Sequence, residues 1–96
     1  MNQKQVVTRI QANQARLIEL GVASLSLFGS MARGDSTEDS DIDLLVRFDG
    51  HADFDRYMDL KLFLEDLLGR RVDLVTEQAL REEIRAHVEQ DLLRVA

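Results

Sequence analysis

At 96 residues the chain has room for one domain, taken here as 1–96, with a modest core and no separate substrate domain. Apolar residues make up 45% and charged residues 31%, so neither a disordered chain nor a membrane span is suggested. The net charge of −6 argues against a surface that tracks a nucleic-acid backbone, and the lack of cysteine rules out disulfides and thiolate metal sites.

The N-terminal MNQKQVVTRI lacks the apolar stretch of a secretory signal, so a cytoplasmic location is the default expectation, with no membrane partner. From Asn2 to Leu20, Val6, Ile10, Leu17 and Ile18 recur at roughly helical spacing, and Gly21 supplies a stop. Val22 to Phe28 reads as a first strand, with Ala23, Leu25 and Leu27 on one face and Ser24, Ser26 and Phe28 on the other. Gly29 and Ser30 break it, Met31 to Arg33 can form a helical turn, and Gly34 to Ser40 is a polar loop.

Asp41 to Phe48 is the second strand. Its period of two sets Ile42, Leu44, Val46 and Phe48 on one face and Asp41, Asp43, Leu45 and Arg47 on the other. Asp49 to His51 is a turn, and Asp53 or Asp55 can cap an amphipathic helix that runs to Leu68 and stops at Gly69. Arg71 to Thr76 is a third strand, with Val72 and Leu74 opposite Asp73 and Val75. Thr76 can cap a last helix through Ala79, Leu80, Ile84, Val88, Leu92 and Val95. The helix between the second and third strands permits a parallel crossover. The expected fold is therefore α/β (α+β): a small mixed sheet of about three strands flanked by helices.

Two carboxylates at the mouth of a core strand are costly to place there without a function. Same-face residues on a strand lie roughly 7 Å apart, so Asp41 and Asp43 can converge on cations between them. Two ions about 4 Å apart would clamp the attacking and leaving oxygens of a phosphoryl or nucleotidyl transfer. Oxygen donors favour Mg²⁺. Asp73, on a neighbouring strand with matching parity, is the natural third carboxylate, either as a metal ligand or as the base for an incoming hydroxyl. At the other end, Gly29 lets a phosphate approach the backbone, and the Ser30 hydroxyl and the N–H groups of the Met31 turn can bind its oxygens. Arg33 is near enough in sequence to contact phosphate, or to brace the acidic loop.

Plainer readings stand beside these. Asp41 and Asp43 could cap a strand in solvent, Ser30 a helix, and Asp73 could be a strand-edge charge. Asp35, Glu38 and Asp39 suit a solvated loop, Arg70 and Arg71 suit a strand end, and His51 and His87 suit the surface. Tyr57, Leu62 and Phe63 give the long helix a surplus of apolar side chains for core or partner.

Gly29-Ser30, ten residues, then Asp41-Ile42-Asp43 resembles the signature of polymerase-β-like nucleotidyltransferases, with Asp73 in RRVDLVT as the third carboxylate. LFGSMARGDSTEDSDIDLLVRF, LLGRRVDLVT and LREEIRAHVEQDLLRVA are similar, across nearly the whole chain, to the minimal nucleotidyltransferases (MNT proteins). The resemblance implies Gly29 and Ser30 at the nucleotide phosphates and Asp41, Asp43 and Asp73 around Mg²⁺. It also implies a HEPN-family ribonuclease toxin as partner in a hetero-oligomer, neutralised by AMP transferred from ATP to a tyrosine hydroxyl. Two rivals stay open: an antitoxin that only binds and masks its toxin, and transfer to a small molecule, for which the chain lacks an added acceptor domain.

Overall fold

In the computed structural model, residues 2–35, 37, 39–79 and 92–96 are described. The N-terminal helical stretch is two helices, α1 (Gln3–Ala12) and α2 (Gln14–Glu19). Asn2 and Gln5 form a capping box at the start of α1, each side chain accepting the other's backbone N–H. The break falls at Asn13, whose side-chain amide donates to the Arg9 carbonyl at 2.8 Å. Such local bonding competes with the helical ladder. The expected continuous helix is corrected accordingly, and Ile18, expected on its apolar face, is 66% exposed.

β1 (Val22–Phe28) leads directly into the short helix α3 (Gly29–Arg33), and β2 (Ile42–Phe48) follows the loop. β1 and β2 pair antiparallel, with a bulge between Val22 and Ser24. Without the bulge, strict alternation would turn Val22 away from Leu25 and Leu27; all three are buried. α4 (Phe54–Leu68) begins at Asp53, whose carboxylate accepts the Arg56 N–H at 2.9 Å, so Asp53 and not Asp55 is the cap. β3 (Val72–Thr76) then pairs parallel to β2, as the crossover requires.

A fourth strand completes the sheet. β4 (Leu93–Arg94) pairs antiparallel with β1, giving the order β3-β2-β1-β4. This corrects two expectations, the strand number and a last helix reaching Val95. Ala79 closes a 3₁₀ turn (Glu77–Ala79) capped by the Thr76 hydroxyl, while Leu80, Ile84 and Val88 lie outside the described residues, as does His87. Val95 is buried because its backbone continues beside β1: its N–H donates to Leu25 O at 2.8 Å, and Leu25 N–H donates to Ala96 O at 3.2 Å.

Among the described residues the core is apolar throughout. Val6, Ile10 and Leu17 of α1 and α2 and Leu60, Leu64 and Leu68 of α4 pack on one sheet face with Leu25, Leu27, Ile42, Leu44, Val46, Val72 and Leu74. Each such side chain contributes roughly 1.5–3 kcal/mol by leaving water. No described helix is long and apolar enough to cross a membrane. The opposite sheet face carries Ser26, Asp43, Leu45, Arg47, Asp73 and Val75, all of them half-buried or exposed. Among the described residues α1, α2 and α4 pack on the other side of the sheet, and this second face carries the polar side chains.

Candidate active site

Strand register brings the second-face residues together. Asp43 lies opposite Phe28 on one side and opposite Asp73 on the other. Side chains of directly paired residues project to the same face, so the two carboxylates adjoin. α4 holds β3 on both sides of Asp73: Val72 N–H donates to Glu65 Oε2 at 3.0 Å, and the Tyr57 hydroxyl donates to Leu74 O at 2.5 Å. Asp73 is thereby fixed in height on the sheet while its side chain stays exposed.

Gly29 supplies the space beneath. It has φ +69°, and a Cβ built on it would collide with Oδ2 of Asp43. Only glycine meets both conditions without strain. The carboxylate of Asp43 thus rests over the junction between β1 and α3. Burial there, then the charges of Asp73 and Asp41, raise its pKa to about 6 against an opposing pull from Arg33.

The remaining expected residues fall around this pair. Ser30 is half-buried in the first turn of α3, whose N-terminal N–H groups receive no side-chain cap. Arg33 reaches Asp35 Oδ2 through Nε at 3.3 Å, so it does brace the acidic loop, while its charge still acts on Asp43. Asp41 lies just before β2, not within it, and its Oδ1 is 3.6 Å from Arg71 Nε. Among the described residues no three acidic or histidine side chains are gathered tightly enough to hold an ion as they stand. Asp43 and Asp73 adjoin, and the Asp41 carboxylate, facing Arg71, is near enough for its charge to act on Asp43. The donor set is all carboxylate, which suits a hard cation, and the repulsion that raises Asp43 is what a bound cation would relieve.

Sequence reading missed two supports of the site. Glu65 carries no motif, and its value lies only in the tertiary contact with β3. Arg70 flanks the start of β3, as expected, and is in addition half-buried and bonded to the loop before β2. A groove of about 450 Å³ lies toward the other end of β3, lined by Phe54, Tyr57, Leu74, Val75 and Thr76 among others. Its acidic member, Asp53, is engaged as the α4 cap.

Two adjoining carboxylates over a positive-φ glycine on one face of a mixed sheet suit nucleotidyl transfer, and the comparisons show the family and the fold. The chain belongs to the nucleotidyltransferase domain family, whose model matches residues 9–95. Protein adenylyltransferase MntA of Thermococcus cleftensis is 36% identical over 93 residues, covering 96% of this chain and 94% of that protein. MJ1379 of Methanocaldococcus jannaschii is 43% identical over 77 residues, covering 77% of each. A solved minimal nucleotidyltransferase superposes with TM-score 0.85 at 38% identity, over 97% of this chain and 95% of that one. The fold is also shared at lower identity. A chain from the solved complex of tri-AMPylated Shewanella oneidensis HEPN toxin with MNT antitoxin matches at 23% identity and TM-score 0.61, over 90% of this chain and 71% of that one. A toxin-antitoxin structure with AMP-PNP matches at 22% and 0.71, over 100% and 73%.

Proposed function

We propose that the protein is an antitoxin adenylyltransferase that moves AMP from ATP to a tyrosine hydroxyl of a HEPN-family toxin and thereby neutralises it. The observation that carries this reading is the Asp43–Asp73 pair in register above a glycine that must be glycine. The adenylyltransferase relative that spans nearly the whole chain supports protein as the acceptor class, and the AMP-PNP and AMPylated-toxin assemblies of the same fold support ATP and a HEPN partner.

In this mechanism the triphosphate lies along the start of α3, where Ser30 and the uncapped N–H groups bind its oxygens, while Gly29 leaves room for the Asp43 carboxylate beside it. Arg33 adds positive charge from the end of the same helix. Asp41, Asp43 and Asp73 would hold Mg²⁺, which supplies charge neutralisation at the transferring phosphoryl group. The acceptor oxygen attacks the α-phosphorus, the bond from that phosphorus to the bridging oxygen breaks, and pyrophosphate leaves. Asp73, exposed on the outer strand of the described sheet, is reached by the acceptor hydroxyl and takes its proton.

The test is incubation of the protein with α-labelled ATP, Mg²⁺ and the product of the neighbouring reading frame, followed by mass spectrometry of that product. Label on a toxin tyrosine is expected, and none with Asp43→Asn. A variant that labels as well as the parent would sink the reading. Neutralisation that survives in an unlabelled Asp43→Asn complex would instead favour masking by binding, which the net charge of −6 suits if the toxin's RNA-binding face is basic.

A further inference from the structure

The loop in front of Asp41 is closed on itself and then tied to the far side of α4. Ser40 N–H donates to Thr37 O at 3.1 Å, Thr37 N–H donates to Ser40 Oγ at 3.1 Å, and the two hydroxyls are 3.0 Å apart. Both carbonyls of this turn, Thr37 O at 2.6 Å and Ser40 O, accept from one nitrogen of the Arg70 guanidinium. On the other side of Asp41, Ile42 N–H donates to Arg71 O at 3.0 Å. The backbone carrying Asp41 is therefore held from before and after by two adjacent residues.

Arg70 is unlike a surface arginine in another respect. Its Nε is buried with no hydrogen-bond partner among the described residues, an arrangement that costs stability. Gly69, in the left-handed conformation at φ 65°, ends α4 and releases the chain immediately before it. The guanidinium is placed where it can reach the turn, at the expense of its own Nε.

We propose that Arg70 is a positioning residue for the cation site: by clasping the Thr37–Ser40 turn it sets the backbone from which Asp41 reaches Asp43 and Asp73. The inference rests on the reading that these carboxylates hold a divalent cation. Its consequence has a distinctive sign. Removing a positive charge close to an acidic cluster strengthens cation binding if charge alone matters. Loss of a positioning contact weakens it, by about tenfold for typical supports of metal ligands.

The experiment measures Mn²⁺ binding by electron paramagnetic resonance, in the presence of AMP-PNP, for the parent, Arg70→Met, Arg70→Lys and Ser40→Ala. Arg70→Met is expected to bind about tenfold more weakly, Arg70→Lys to recover most of the loss, and Ser40→Ala to shift the same way by less. Circular dichroism checks that each variant is folded. If Arg70→Met does not fold, Ser40→Ala decides: weakened binding supports the proposal, and unchanged binding overturns it. Equal or tighter binding by a folded Arg70→Met overturns it while leaving the nucleotidyltransferase reading intact. A parent that binds no Mn²⁺ brings down both.

Discussion

Asp43 sits in a position the fold tolerates only because Gly29 has no side chain, and its carboxyl is uncomfortable there when ionised. Its pKa is raised from 3.8 to about 6, chiefly by burial and then by Asp73 and Asp41. The raised value means that the folded state binds the proton more tightly than the unfolded state does. The stabilising contribution is fully present below 3.8 and is lost as pH rises through about 6. Asp43→Asn, which has no charge to lose, should therefore melt above the parent at about pH 8 in chelator, with the gap closing at about pH 4. Adding Mg²⁺ should raise the parent's melting temperature and leave the variant's nearly unchanged. A variant that melts lower than the parent at the higher pH would contradict this account of the site's electrostatics. Gly29→Ala makes the complementary prediction. Positive φ and a collision with Asp43 Oδ2 combine, so a loss of about 1–3 kcal/mol by chemical denaturation should accompany loss of transfer. The glycine and the aspartate were legible from the sequence as types at a spacing. That one makes room for the other was not, because the contact crosses from β1 to β2.

The elements were legible wherever a period ran long enough to declare itself. β2 alternates Ile42, Leu44, Val46 against Asp43, Leu45, Arg47, and its burial follows that alternation. α4 has fifteen residues, a side-chain cap at Asp53 and a glycine at its end, so its bounds follow from local chemistry. The break at Asn13 escaped because a single amide bonding to Arg9 O leaves the surrounding apolar spacing almost untouched. β4 escaped because two residues carry no period, and because Leu92 and Val95 also fit the spacing of a helix. Asp41 was misplaced in the strand because parity assigns a face but does not mark where a strand begins, and β2 begins at Ile42. The small size of β4 does not make it dispensable. It covers the edge of β1 and brings in buried Val95. Deleting Leu93 to Ala96 should lower the melting temperature by removing that side chain and the bonds to Leu25. It should also leave β1 open to pairing with other chains, visible as concentration-dependent oligomers in sedimentation. A truncated protein as stable and as monodisperse as the parent would show that the edge is protected by something else.

At the scale of the whole molecule, the net charge and the catalytic face make separable contributions to the proposed encounter with a toxin. In the proposed reaction the charge of −6 would act at a distance, before any hydrogen bond forms, while Asp43 and Asp73 would act only once the acceptor hydroxyl is in place. Long-range charge governs how fast complementary surfaces meet, and short-range contacts govern how long they stay together. If the toxin's RNA-binding surface is basic, the association rate should fall steeply as salt rises from about 50 to 300 mM, where the screening length shortens to well under 10 Å. The dissociation rate should change little over the same range. Asp43→Asn removes one negative charge among 18 acidic residues, so it should leave that salt dependence almost intact while abolishing AMP transfer. Surface plasmon resonance on the parent and the variant checks both halves. A flat association rate would mean that the acidic surface does not steer this partner. A variant that loses association together with transfer would mean that the carboxylate pair is part of the docking contact itself, and that binding and chemistry share one face of the sheet.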